Sequence, residues 1–282
     1  MLFFVMTLVF SCGSTKSTTA KVEDQTKEPV SKVEKYVIQS PTPLETVSKQ
    51  KKPGIIEKDT INQILETTPT HIYDDWNVLL QKHVSDEGLV DYKGFKKDRI
   101  ILRSFFNQLD KSVPKETDTK AYILAYWINA YNAFTIDLIL RHYPIKSIKN
   151  IKNPWEQRYW KLGKKWYNLN EIEHEILRKM NEPRIHFAIV CASISCPKLQ
   201  NEAFTTSGLE VQLSEATQEF LNDKTRNSIS ENHLDLSKIF QWFTKDFKQN
   251  GSLIDFLNQY SIIKISAKAK KSYKDYNWDL NE

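Results

Sequence analysis

His186, Cys191, Cys196, Asn129 and Asn132 are the residues of this 282-residue chain whose types could combine in one reaction. An imidazole that titrates near neutrality can take a proton from a thiol, and the resulting thiolate is a nucleophile. Carboxamides can orient the reacting group or donate to a developing oxyanion. Cys191 and Cys196 equally suit a disulfide, the simpler reading for two cysteines of an exported protein. The two readings exclude each other, because a disulfide consumes both thiols. Ser193 and Ser195 are further hydroxyls in this stretch, with no signature around them.

The elements that must position these groups follow from periodicity. In residues 184–197, Ile185, Phe187 and Ile189 alternate with His186, Ala188 and Val190, and both sets are largely apolar. That pattern predicts a buried strand covered on both faces. An ideal strand would point His186 and Cys191 to opposite faces, so a direct pair needs a bulge, or Cys196 returning around the loop. Residues 121–140 are apolar nearly all round, with Asp118 or Thr119 as cap and Pro144 as terminator. They predict a central, buried helix. Asn129 and Asn132 lie three apart on one face of it, with Tyr131 between them. A buried amide without partners costs about 1–3 kcal/mol, so the pair belongs to a polar network. That network either ties the helix to neighbouring backbone or lines a site.

A second helix is predicted over 170–178, capped by Asn168 or Asn170, with Glu171, His174 and Arg178 on one face as supporting groups. A single Glu-x-x-His does not make a dimetal site, and neither a metal nor another cofactor is expected. Residues 163–169 read as the turn and second strand of a hairpin. Short strands are expected at 89–92, 233–237, 262–266 and 276–280.

Composition narrows the partners. Forty basic and 35 acidic residues are interleaved, which excludes the concentrated basic face of a nucleic-acid binder. No glycine-rich phosphate loop is present, which excludes dinucleotide and P-loop sites. Leu2–Phe10 is an apolar run too short to span a bilayer, followed by Ser11-Cys12-Gly13. No Lys or Arg precedes it, yet it resembles the lipobox of bacterial lipoproteins. The expected organisation is a signal segment at 1–12 with lipidation on Cys12, a disordered tether at 13–68 carrying a short helix over 59–68, and a folded domain at 69–282. The expected place is the bacterial cell envelope, lipid-anchored, facing the periplasm or the surface.

The domain also resembles the family catalogued as domain of unknown function 547. The resemblance rests on Gly88-Leu-Val-Asp-Tyr92, Tyr126-Trp-Ile-Asn-Ala-Tyr-Asn-Ala-Phe134, Tyr143-Pro144 and Ser147-Ile148. It continues through Asn170-Glu-Ile-Glu-His-Glu-Ile-Leu-Arg178 and Pro183–Pro197, then Leu236-Ser237, Ile239-Phe-Gln-Trp-Phe243 and Tyr276-Asn-Trp-Asp-Leu-Asn281. Family members often end in Tyr-Asp-Trp, where this chain has Asn277. The resemblance carries no activity. The expected fold is α+β: one helix-rich domain with a central buried helix packed on a small, mainly antiparallel sheet. The order of helix, histidine and late strand is similar to papain-like and transglutaminase-like enzymes, but asparagines stand where their cysteine would head the helix. Two functions follow. One is a tethered binding or scaffolding module with a Cys191–Cys196 disulfide, holding an envelope protein or cell-wall ligand. The other is an envelope hydrolase or transferase using His186, a Cys191 or Cys196 thiol and the Asn129 and Asn132 amides.

Overall fold

The longest apolar stretch of the chain builds its centre. A computed structural model describes residues 71–282. The signal segment, Cys12, the tether and the helix expected over 59–68 lie outside the described residues. The central helix, α4 (Lys120–His142), is preceded by α1 (Asp74–His83), α2 (Tyr92–Lys97) and α3 (Arg99–Lys111). Thr119 caps α4, its hydroxyl accepting from the Tyr122 N–H at 3.2 Å. Arg141 and His142 in the last turn complement the carbonyl end of the helix dipole. Every residue from Leu124 to Leu140 is buried. Length and composition alone would let α4 cross a membrane, but the domain encloses it, which makes it a core helix.

Helices α2 and α3 pack on α4 and α1 packs on both of them, with Trp76 stacked on Phe105 at 5.5 Å. A hairpin covers another: β1 (Trp160–Leu162) and β2 (Lys165–Tyr167) pair antiparallel. Its turn holds Gly163 at φ 59°, a conformation glycine adopts freely. Trp160 stacks on Phe134 at 4.6 Å and donates its indole N–H to Asp137 at 2.9 Å. Asp137 is a buried carboxylate in the middle of an apolar helix. Arg99 at 3.0 Å and Arg141 at 2.7 Å neutralise it, which is what such burial requires.

Between the hairpin and the next core runs α5, an α-turn at Leu169–Glu171 that widens into a π-helix at Ile172–Leu177 and tightens into a 3₁₀ turn at Arg178–Met180. A second core gathers Phe187, Phe220, Phe240, Phe247 and Phe256. It lies among α6 (Leu209–Asn222), β4 (His233–Leu236), α7 (Ile239–Trp242) and α8 (Leu253–Tyr260). β4 is the middle strand of a small sheet, antiparallel to β3 (Ser228–Ile229) and parallel to β5 (Lys270–Tyr273). The fold is thus the expected helix-rich α+β domain.

Four predicted strands need correction, the one at 276–280 being described with the cleft below. Residues 184–197 are not a strand: Pro183–Phe187 is a 3₁₀ turn, and the rest is loop with one bridge, Ser193 to Leu280. Pro183 presets the first helical position, and an apolar run without one polar face suits any fully buried segment. Residues 89–92 form a single bridge, Val90 to Val84, before α2 begins. Residues 262–266 have no strand partner, and Ile262 and Ile263 are exposed. Alternation predicts a strand only where a neighbour can pair with it.

Gly88 supplies a test of the packing. It has φ +81°, and a Cβ there would lie 2.4 Å from Lys198 Cβ and 2.8 Å from Lys198 Cα. Gly88→Ala therefore adds left-handed strain to a backbone collision, for about 2–4 kcal/mol. In a domain of this size the thermal midpoint should fall by roughly 5–10 °C. A midpoint unchanged in a melting experiment would show that the 84–90 turn is not held against Lys198.

Candidate functional site

The two cores meet along residues 184–190. Ile185, Ala188, Ile189 and Val190 belong to the first core and Phe187 to the second. A cleft of ≈ 700 Å³ opens beside this segment. His186, Cys191, Cys196, His174 and Tyr131 all line it, although strand parity separates His186 from Cys191. The 3₁₀ turn removes that parity. Asn129, Asn132, Glu171 and Arg178 are not in the lining.

Both asparagines face backbone instead. Asn132 Nδ2 donates to the Ala188 carbonyl at 2.9 Å, and the Val190 N–H donates to Asn132 Oδ1 at 3.0 Å. Asn129 treats Phe204 the same way: Nδ2 donates to its carbonyl at 2.7 Å and Oδ1 accepts from its N–H at 3.0 Å. Each amide supplies the donor and acceptor that a neighbouring strand would otherwise bring. This is where the backbone bonds of a buried loop go.

Cys191 and Cys196 are joined in a disulfide. Ala192 within the loop has φ 55°, a left-handed conformation that is strained for any residue with a Cβ. The Tyr276 hydroxyl lies 3.2 Å from Cys191 Sγ and 3.4 Å from Ser193 Oγ. Burial pushes the Tyr276 phenol up to about 12, with the Ser193 contact opposing.

His186 is held by Asp246. Its Nε2 lies 2.8 Å from Asp246 Oδ2, and its ring stacks on Phe243 at 3.9 Å. Arg178 grips the same carboxylate with Nε at 2.6 Å and Nη2 at 2.9 Å, a bidentate pair. Arg178 Nη1 also lies 2.7 Å from His174 Nδ1. A guanidinium only donates, so that histidine nitrogen accepts. Burial alone would raise the Asp246 carboxyl. The hydrogen bonds and charges of His186 and Arg178 outweigh it and hold the group well below the usual carboxylate range. Asp246 in turn raises the Arg178 guanidinium. The expected Glu171–His174–Arg178 face is only half realised. Glu171 turns away to Arg158 at 2.8 Å and to Lys165, because the π-turn breaks α-helical spacing.

Of the remaining walls, Tyr276 and Trp278 stand on the segment expected as a strand at 276–280, whereas nothing in the sequence marks Glu173. Glu173 is only 7% exposed and accepts from the Tyr131 hydroxyl at 2.9 Å. Burial raises the Tyr131 phenol well above its ordinary value, and the Glu173 charge adds to this. Trp242, Tyr276 and Trp278 form a continuous aromatic wall, with centroids 4.7–5.8 Å apart, and Trp155 meets Trp278 at 5.9 Å. Lys149 Nζ lies over the Trp278 ring at 4.2 Å. The expected edge strand at 276–280 is an extended strap. Ile194 N–H donates to the Asp279 carbonyl at 2.8 Å and Ser195 N–H to that of Asn277 at 3.2 Å, which aligns the strap with the disulfide loop. Among the described residues no cluster of His, Cys, Asp and Glu could hold a metal ion.

The fold and the cleft define a helix-rich α+β domain with an aromatic cleft closed on one side by a disulfide. Residues 114–221 match the family model described as "Protein of unknown function, DUF547", which supports that domain family. The match takes in Asn129, Asn132, Glu173, His174, His186 and both joined cysteines, but ends before Trp242, Asp246, Tyr276 and Trp278. No curated protein and no solved structure matches the chain.

Proposed function

We propose that this protein is a binding module of the bacterial cell envelope, tethered to the membrane through a lipid on Cys12 and holding an envelope or cell-wall ligand in the aromatic cleft. One observation carries the binding half of this reading. The cleft is lined by tryptophans and tyrosines, and its two sulfurs are tied to each other. Large, rigid aromatic walls with few polar groups are what ligand pockets use, and a disulfide offers no thiolate for attack. Support for the location is the Leu2–Phe10 run before Cys12, together with a disulfide, which persists in oxidising compartments.

The alternative, an envelope hydrolase or transferase, draws on the His186–Asp246 pair and the strained Ala192 beside one cleft. It requires a reduced Cys191 or Cys196. Alkylating the purified, unreduced full chain and mapping its peptides separates the two. Cys191 and Cys196 should remain unlabelled until a reductant is added. Quantitative labelling of both without reductant would transfer the argument to the thiol enzyme.

A further inference from the structure

Glu173 is the group in the cleft that the protein leaves unanswered. It is more than nine-tenths buried, it lines the cleft, and its Oε2 accepts from Tyr131. Among the described residues no Lys, Arg or His nitrogen lies within 4 Å of it, and its Oε1 accepts no hydrogen bond. The nearby Arg178 is committed to Asp246 through two bonds. Buried carboxylates elsewhere in this domain are paired, as Asp137 is with two arginines. The Glu173 charge is felt by Arg178 only at a distance, so this largely buried carboxylate is poorly compensated, and a cationic ligand would supply the missing charge. The walls around it are Trp155, Trp242, Tyr276 and Trp278, whose ring faces carry negative potential and attract cations. Lys149 over Trp278 already shows that wall accepting an ammonium.

We infer that the cleft takes its ligand through an ammonium group, seated on Glu173 and enclosed by the tryptophan and tyrosine wall. This rests on the binding reading and names the chemistry of the ligand. A primary ammonium would donate to Glu173 Oε1 directly. A quaternary ammonium would use the aromatic faces and the charge without a hydrogen bond. Neutral ligands of the same shape would lose both terms.

The test is tryptophan fluorescence titration of the disulfide-intact full chain with choline, n-butylamine and 3,3-dimethylbutanol, the last an uncharged isostere of choline. At least one cationic probe should bind about tenfold or more tightly than the alcohol, the order a desolvated cation–π contact supplies. The ratio between choline and butylamine assigns a quaternary or a primary group. Glu173→Gln keeps the Tyr131 hydrogen bond through the amide oxygen and removes the charge. It should abolish the preference for cations while leaving the melting temperature equal or higher, since a poorly compensated buried charge is removed. Equal affinities for choline and the alcohol, or a preference that survives Glu173→Gln, would overturn the ammonium assignment. A Glu173→Gln variant that melts well below the parent would also overturn it, because the carboxylate would then be structural. If the alcohol or uncharged cell-wall saccharides bind the cleft independently of Glu173, only the ammonium assignment fails and the binding reading stands. If no probe and no saccharide binds, both fail.

Discussion

Asp246→Ala is expected to cost about 2–4 kcal/mol of unfolding free energy, below the range for a fully buried ion pair because Arg178 and Asp246 are partly exposed. The carboxylate is the common acceptor of His186 at 2.8 Å and of two Arg178 nitrogens. Its removal leaves the His186 ring nitrogen without its acceptor and the Arg178 guanidinium with His174 alone. Asp246→Asn should cost less, because the amide oxygen still accepts one bond. The pH dependence follows from the sign of the shift. The folded carboxyl titrates well below its unfolded value, so its contribution is fully present above about pH 4 and is lost as pH falls through the folded value. Urea denaturation of parent and Asp246→Asn should therefore show a stability gap at neutral pH that narrows on acidification below about pH 4. A gap of constant size down to about pH 2 would falsify the ion-pair account. His174 reaches the same network through Arg178, so His174→Ala and Asp246→Ala should be less than additive.

Asn132→Leu is expected to be comparably damaging, at about 2–5 kcal/mol, the sum of two unsatisfied buried groups. The leucine fits the volume but leaves the Ala188 carbonyl and the Val190 N–H unpaired in a buried place. Asn132→Asp should not rescue it, since a carboxylate can accept from Val190 but faces the Ala188 carbonyl with no donor. Asn129→Leu should repeat the pattern through Phe204. Denaturant melts of the purified variants measure this. A variant that keeps the parent's stability would mean these amides do not brace the loops.

These residues show what could be read before the fold was known. Helix α4 is legible because its apolar run, its Thr119 cap and its Pro144 stop agree with one another. Its amides are legible as a buried polar network, but not as clamps on residues 188–190 and 204. Those partners lie 56 and 75 residues away in sequence. The 184–197 segment fails as a strand because burial on both sides carries no period, and its backbone is satisfied by a side chain. Glu173 hides among first-turn glutamates whose ordinary role is to complement a dipole. Only the π-turn brings it and His174 to the same cleft. Asp246 is a lone acid among many, and nothing local marks its partners. The strap could be found by its period of two: Tyr276, Trp278 and Leu280 alternate with the exposed Asn277 and Asp279.

That strap also joins the end of the domain to its beginning. The Asn281 carbonyl accepts from the Val90 N–H at 2.8 Å and its side chain from the Tyr92 hydroxyl at 2.7 Å, while Leu280 N–H donates to the Lys146 carbonyl at 2.8 Å. Tyr276 and Trp278 on the same strap furnish the cleft. The first helices and the aromatic wall are thus both unfinished until residues 276–281 are supplied. A growing chain cannot close this domain while those residues are still inside the ribosome's exit tunnel.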